Sequence, residues 1–294
     1  MNKQKKVGGQ AVMEGVMMRY GDYFSIACRR SDNTISLHVE SFISLAKKIP
    51  MLGWPVFRGV VVLIESMFIG VRALNISAAE AVAEEGEELT GWHSLVMVIL
   101  GLGLGVGLFF ILPTYLVRFL PLWSPIVLNL CEGLLRITIF LLYLIAITRW
   151  GEIQRFFQYH GAEHKVIYGY EREETDDLAK IGLFSCRHPR CGTSFIVTVM
   201  VISILLFSLF GWPVLWQRIL LRLILLPLVA GLSYEAIRLS SSSKSPLLSV
   251  LTAPGMWLQK LTTQEPDQAQ IEVALTALKA VIESENTANN QIAN

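Results

Sequence analysis

Two histidines and a glutamate near the middle of the chain have the spacing of a metal-dependent hydrolase. His160 and His164 are four residues apart, so on a helix both imidazoles point to one side, and Glu163 lies beside them in a His-x-x-Glu-His pattern. In such sites two neutral imidazoles bind a metal ion, and a nearby carboxylate accepts the proton of a metal-bound water. The pattern therefore predicts a transition-metal site, with zinc as the expected ion and Glu163 as the candidate catalytic base.

A second group of metal-binding side chains follows in the segment CRHPRC. His188 and Cys191 are the predicted further ligands, Cys186 is a weaker candidate, and Glu235 is a candidate remote ligand. In a reducing compartment the two thiols favour metal binding over a disulfide. A shell closed by four protein ligands would be structural, whereas a shell with an open position would be catalytic.

A simpler interpretation of the histidines competes with the metal site. Interfacial histidines can be hydrogen-bonded to acids such as Glu163 and Glu171 without any metal. Gly161 also weakens the helix that the ligand geometry requires, by about 1 kcal/mol relative to alanine.

Long apolar segments indicate that a membrane positions this site. Hydrophobic residues make up 53% of the 294-residue chain and charged residues only 17%, against about 25% charged residues in soluble domains. A helix needs about 20 apolar residues to cross the bilayer. The sequence predicts four transmembrane helices, at residues 94–117, 123–148, 194–210 and 214–237.

One further hydrophobic segment, residues 55–76, is predicted to lie in the membrane interface. Arg58, Glu65 and Arg72 recur every seven residues and therefore share one helical face. Eight Lys or Arg residues precede Trp54 and seven lie in the loop at residues 149–193. If residues 55–76 do not cross, both basic groups lie in the cytoplasm, as the positive-inside tendency requires. Both termini are then cytoplasmic.

The predicted second and fourth spans contain charged residues. Glu132 and Arg136 have the spacing of an ion pair on one helix, which should face the interior of the helix bundle. The pair is either a structural lock between helices or part of a transport path. Arg218 and Arg222 are expected to extend toward the outer interface of the membrane.

The segments outside the membrane are predicted to form a small α+β portion. Residues 23–30 and 34–40 alternate in polarity as a half-buried hairpin, and a tail helix places Ile271, Leu275, Leu278 and Ile282 on one stripe. The chain after Glu283 is expected to be disordered.

The fold class is thus membrane α-helical, with four transmembrane helices and a cytoplasmic portion built from the hairpin, the central loop and the C-terminal helix. The predicted order is a cytoplasmic β-rich segment (1–53), an interfacial helix (54–79), an acidic linker (80–91), transmembrane helices 1 and 2 (92–148), the loop with the site (149–193), transmembrane helices 3 and 4 (194–239), and a linker with a C-terminal helix (240–294).

Five sequence motifs resemble the YqhQ family, a group of bacterial membrane proteins with a domain of unknown function. The motifs are GGQAVMEGVMMR at residues 8–19, YHGAEHK at 159–165, HPRCGTSF at 188–195, AGLSYE at 230–235 and APGMWLQKLTT at 253–263. The resemblance implies a multi-pass protein of the bacterial cytoplasmic membrane that is metal-dependent by prediction. Because Cys186 lies outside the HPRCGTSF motif, the resemblance favours His188 and Cys191 as ligands.

Three functions agree with these features. The first is a membrane-bound metal-dependent hydrolase, and the second is a non-enzymatic scaffold or assembly factor with a structural metal site. The third, a transporter, would use Glu132, Arg136 and Asn129 and would require an oligomer, because four helices offer a thin polar path. The expected partners are the lipid bilayer and a membrane protein or a second copy of the chain. A net charge of +1 does not favour nucleic acid as a partner.

Overall fold

The chain begins with a four-stranded antiparallel sheet. The computed structural model describes residues 6–82, 91–121, 124–242 and 246–293. The strands lie side by side in sequence order, so each pairs with the next along the chain. They are β1 Val7–Val12, β2 Gly15–Tyr20, β3 Tyr23–Arg29 and β4 Ile35–Ser41.

Helices make up most of the chain after the sheet. The first six are α1 Leu45–Lys48, α2 Phe57–Val82, α3 Gly91–Val106, α4 Leu112–Val117, α5 Pro125–Ile147 and α6 Gly151–Glu171. A π-helical turn, Gly107–Ile111, joins α3 to α4, and a 3-10 turn, Pro50–Gly53, follows α1. The remaining helices are α7 Leu178–Gly182, α8 Gly192–Ser208, α9 Leu215–Ser242, α10 Pro246–Thr262 and α11 Gln268–Ala293.

Both faces of the sheet are covered by helices. Successive side chains of a strand point to opposite faces, and Val16 and Met18 of β2 belong to a core shared with α6 and α11. Met17 points to the other face, where it packs with Ile69 and Ala73 of α2. We call the unit formed by β1–β4, α6 and α11 the sheet module. The helices of the sheet module cover one face of the sheet and α2 covers the other, so β3 is buried on both faces rather than half-buried as predicted.

Several helices are suited to a membrane. Within the described residues, four helical stretches are long and apolar enough to cross one: Phe57–Ala81, Leu95–Val117, Pro125–Ile147 and Leu215–Ser240. The predicted first, second and fourth spans correspond to the last three of these stretches. The predicted third span corresponds to α8, an apolar helix of 17 residues that is shorter than the others. The remaining stretch of the four lies in α2, which the sequence predicts to lie in the membrane interface.

The charged stripe of α2 is paired along its length: Glu65 and Arg72 contact residues that precede the helix, and Arg58 contacts Glu235 of α9. The carboxylate of Glu65 accepts a hydrogen bond from the hydroxyl of Ser44 at 2.9 Å. Arg72 donates to both carboxylate oxygens of Glu40, at 2.5 and 2.8 Å. The seven-residue spacing thus reflects polar contacts along one side of the helix.

The segments between and after these helices differ in part from the predictions. The hairpin of β3 and β4 is confirmed, whereas the hairpin of β1 and β2 was not predicted. Helix α10 follows the predicted linker at residues 240–245, in a stretch for which no element was predicted. Helix α11 continues to Ala293, so the expected disorder after Glu283 was wrong. Residues 83–90 of the acidic linker, 122–123 at the start of the second predicted span and 243–245 of the serine-rich linker lie outside the described residues.

Candidate metal site

Helix α6 places the predicted residues of the site on one face. The rings of His160 and His164 have centroids 4.5 Å apart. The helix runs without interruption through Gly161, where an added Cβ would collide with the backbone carbonyl of Gln264. The glycine therefore lets the chain after α10 pass close to the two histidines, which offsets its cost to the helix.

Backbone carbonyls orient both imidazoles. Nδ1 of His160 lies 2.8 Å from the carbonyl oxygen of Thr262, and Nδ1 of His164 lies 2.5 Å from that of Cys186. Because a carbonyl oxygen only accepts, each Nδ1 carries the proton, and in the neutral imidazole Nε2 then keeps a free lone pair. This arrangement is typical of metal-binding histidines, whose second nitrogen is fixed by a carbonyl or carboxylate.

Cys191 brings a sulfur to the free nitrogens. Its Sγ lies 3.1 Å from Nε2 of His160 and accepts a hydrogen bond from the hydroxyl of Thr193 at 3.2 Å. One ligand atom from each of His160, His164 and Cys191 lies within 4.8 Å of the others. Nε2 of His164 is buried and has no hydrogen-bond partner within the described residues. Two imidazole nitrogens and one sulfur, one of the nitrogens buried without a partner, match the donor set that zinc prefers.

Glu163 lies at the edge of this cluster, between α6 and the sheet. Its Oε2 is 4.0 Å from Nε2 of His160. An added Cβ at Gly9 of β1 would meet the Glu163 side chain, so glycine makes room for the carboxylate. Burial raises the pKa of Glu163 to about 7, although the nearby His160 opposes the shift. A carboxyl group with this pKa can both hold and release a proton near neutral pH.

His188 and Cys186 lie near the cluster but make other contacts. Nδ1 of His188 accepts a hydrogen bond from the backbone N–H of Arg190 at 3.3 Å, and its Nε2 lies 3.4 Å from Glu171. Burial lowers the pKa of His188 to about 4, so the imidazole is neutral. The thiol of Cys186 donates to Glu265 at 2.5 Å, and burial raises its pKa to about 12. Among the described residues, the cluster of three ligand atoms includes neither side chain.

Two buried polar side chains that the sequence did not single out hold the loop around the site. Gln259 of α10 pairs with the backbone of His188, accepting from its N–H at 2.7 Å and donating to its carbonyl at 2.9 Å. Lys165 of α6 donates to the carbonyls of Gly182 and Phe184, at 2.6 and 2.8 Å. Both residues lie in motifs that carry the family resemblance, at residues 159–165 and 253–263, and this position is the signal that could have identified them from the sequence.

An open cleft lies beside the two segments that carry the carbonyls of Thr262 and Cys186, and neither the three candidate ligands nor Glu163 is among its lining residues. It has a volume of about 510 Å³, and its two walls are the segments whose carbonyls orient the histidines. Polar groups contribute most of its lining. The walls are formed by residues 184–187 and by Lys260, Thr263, Gln264 and Glu265.

The remaining predicted site residues lie elsewhere. Glu235, the predicted remote ligand, is not among the three clustered ligand residues of the described chain, and Arg58 binds both of its carboxylate oxygens, at 2.6 and 2.5 Å. The predicted pair of Glu132 and Arg136 is present, with 2.9 Å between Oε1 and Nη2.

The expected outward extension of Arg218 and Arg222 was also wrong. Both arginines are buried, and Arg222 forms two hydrogen bonds with the carboxylate of Glu132. Charged side chains inside a membrane bundle face its interior and pair with one another, and sequence spacing between different helices does not reveal such a pair.

Comparisons with known proteins agree on one family. The model of the family described as "Protein of unknown function (DUF1385)" matches residues 54–284. The chain is 32% identical over 299 residues to the "Uncharacterized protein YqhQ" of Bacillus subtilis (strain 168), covering 95% of this chain and 92% of that protein. No solved structure matches the chain. The family match spans the candidate site and all the helices from α2 to most of α11, and the chain therefore belongs to the DUF1385 family of proteins of unknown function.

Proposed function

We propose that the protein is a membrane-bound metal protein whose site consists of His160, His164 and Cys191. The observation that carries the proposal is the convergence of three ligand atoms within 4.8 Å, with both Nδ1 atoms already bonded to backbone carbonyls. A transition metal, most simply zinc, fits two nitrogens and a sulfur.

The arrangement supports a metal-dependent hydrolase best. Bound zinc would supply a Lewis acid and an activated water at neutral pH. Glu163 would receive a proton on Oε2, the oxygen nearer to His160, since its raised pKa suits it to that exchange. The polar cleft between residues 184–187 and the chain after α10 would admit a hydrophilic substrate.

A structural site in a scaffold or assembly factor is the second candidate. It is favoured by the low exposure of the ligands, 1% for His164 and 8% for Cys191. The cluster also joins α6 to the start of α8, and through the Thr262 carbonyl to the end of α10. A metal in this place would fasten the sheet module to the membrane helices.

We also propose that the sheet module and both chain termini lie in the cytoplasm. Since β1–β4 and α6 pack together, the chain between them must cross the membrane an even number of times. The stretches Leu95–Val117 and Pro125–Ile147 supply two crossings, which leaves α2 in the interface. Helix α9 is long and apolar enough to cross, so by the same rule α8 crosses as well between α6 and α11. About 17 residues are enough for that.

Metal analysis of the purified full chain tests the site. We expect about one zinc ion per chain in the native protein and none in the double variant His160→Ala/His164→Ala. His38→Ala is the matched control, because His38 bonds to Glu80 away from the cluster and should leave the metal content unchanged. Stoichiometric metal in the double variant would refute the proposal.

Two further measurements separate the catalytic from the structural site. Cobalt(II) substitution should give a thiolate charge-transfer band that Cys191→Ser removes, which would confirm the sulfur ligand. Chelation should then lower the unfolding temperature strongly if the metal is structural and only slightly if it is catalytic. Glu163→Gln should retain the metal in both cases.

A further inference from the structure

A cluster of one acid and three arginines lies between the membrane helices, apart from the residues of the metal site. Arg222 donates to both carboxylate oxygens of Glu132, at 2.6 Å to Oε2, and to the hydroxyl of Thr114 at 2.8 Å. Arg136 also donates to Glu132, at 2.9 Å, and to the carbonyl of Phe109 at 2.8 Å. One carboxylate thus accepts hydrogen bonds from two guanidinium groups.

The third arginine is left with donors to spare. Nη1 of Arg218 is 3.8 Å from Glu132, and its Nε and Nη1 are buried with no hydrogen-bond partner within the described residues. The side chain is 7% exposed, and its guanidinium lies 3.8 Å from the ring centroid of Trp212. Stacking on the ring fixes the plane of the guanidinium without using its N–H groups.

The sequence of these helices contains no other acid that could balance the charge. Residues 95–117, 125–147, 192–208 and 215–234 hold a single acid, Glu132, and three arginines, Arg136, Arg218 and Arg222. The cluster therefore has two more positive charges than negative ones. Charges inside a membrane protein are expensive unless they are paired, so this excess points to an anionic ligand.

The position of Arg218 restricts where that ligand binds. Arg218 and Arg222 line a narrow crevice with Asn129 of α5 and with Phe210 and Gly211 of the turn between α8 and α9. Its inner space of about 10 Å³ is close to what one water-sized oxygen needs. The helices α5 and α9 both begin at this end, so their dipoles add to the positive potential.

We propose that this crevice binds a phosphate group, which inserts one oxygen beside Arg218 while the rest of the ligand stays at the membrane surface. Phosphate oxygens match the fork of N–H donors on a guanidinium. The phosphate belongs either to the headgroup of an anionic phospholipid or to free inorganic phosphate. In the proposed topology the crevice opens on the side of the membrane opposite to the sheet module.

Ligand binding to the delipidated full chain in neutral detergent tests the proposal. Phosphatidylglycerol is titrated and counted by native mass spectrometry, with phosphatidylcholine as the zwitterionic reference, and inorganic phosphate is titrated against the unfolding temperature. We expect Arg218→Gln to weaken binding about tenfold. The matched control is Arg118→Gln, because Arg118 is an exposed arginine at the same end of the bundle that lies over Tyr115 and Phe119.

The two ligand sources give different results. Preferential binding of phosphatidylglycerol that only Arg218→Gln weakens assigns the site to a lipid headgroup. Stabilisation by inorganic phosphate that only Arg218→Gln abolishes, without preference between the lipids, assigns it to free phosphate. If Arg218→Gln does not fold, Arg218→Lys keeps the charge but loses the fork, and it should bind more weakly than Arg118→Lys. Equal binding by the Arg218 variants and their Arg118 controls would overturn the proposal.

Discussion

Lys165 shows how a single buried charge supports the candidate site. Its side chain is 2% exposed, and its ammonium group reaches two backbone carbonyls and Glu265. Three acceptors match the three N–H donors of a lysine, which explains why the residue tolerates burial. Because Glu265 also accepts from the thiol of Cys186, Lys165 fixes the loop whose carbonyl orients His164.

Replacing this lysine should weaken zinc binding at the candidate site without changing any of the proposed ligands. Lys165→Met keeps most of the apolar contacts but leaves two carbonyls without a donor, which should cost about 1–3 kcal/mol of stability. We expect a lower unfolding temperature and weaker zinc binding in competition with a chelator. Lys260→Met changes an exposed lysine beside the same cleft and should alter neither. Unchanged zinc affinity in Lys165→Met would show that the loop is held by other contacts.

At the level of single residues, helical spacing predicted the contact between His160 and His164 more directly than loop spacing predicted the position of His188. His160 and His164 share a face because the helical repeat fixes their relation, and Cys191 joins them as predicted. His188 and Cys191 are three residues apart in a loop, where spacing does not determine direction. The path of the loop, set by Gln259, turns His188 toward Glu171 instead.

At the scale of elements, the close contact between α6 and the chain after α10 is what forms the site. Gly161 is the point of contact, and it explains why a poor helix former occupies the middle of a helix. The same contact lets the Thr262 carbonyl reach Nδ1 of His160. The glycine therefore helps to orient His160, one of the proposed ligands.

Adding one methyl group at this contact should destabilise the protein, whereas helix propensity alone predicts that it stabilises the helix. Gly161→Ala would favour the isolated helix by about 1 kcal/mol, yet its Cβ would displace the carbonyl of Gln264. We expect the variant to unfold at a lower temperature and to bind zinc more weakly. Gly151→Ala is the control, since an added Cβ there meets nothing within 4 Å and should be neutral or stabilising. A stabilised Gly161→Ala protein would contradict the assigned role.

The sequence predicted the elements with a strong periodic pattern and missed those with a weak one. The alternation of β4 and the apolar stripe of α11 were recognised correctly. Helix α10 was not predicted, and it contains Pro254, a residue that normally ends a helix. The pairing of β1 with β2 was missed because small residues and glycines fill β1, and they carry little alternation.

At the scale of the whole molecule, the side of the membrane on which each segment lies can be measured. Single cysteines are placed at exposed positions, Met51→Cys before α2, Leu183→Cys in the central loop and Leu120→Cys between α4 and α5. In spheroplasts, a membrane-impermeant maleimide should label only Leu120→Cys, and after permeabilisation it should label all three. The chain without an added cysteine gives the background. Labelling of Met51→Cys but not of Leu183→Cys in spheroplasts would mean that α2 crosses the membrane, and labelling of both would mean that the whole topology is inverted.

The sheet at the beginning of the chain and the helix at its end also have a consequence for synthesis. The hydroxyl of Ser25 in β3 donates to the carbonyl of Ala277 in α11, across 252 positions of the sequence. At about 5–20 residues per second, a ribosome needs on the order of 10 to 50 seconds to make the intervening chain. Throughout that time the face of the sheet that α11 covers is exposed, while the apolar helices are being inserted. The sheet therefore leaves the ribosome well before the helix that completes it, and a nascent chain that stops before α11 would present an uncovered sheet to chaperones and proteases.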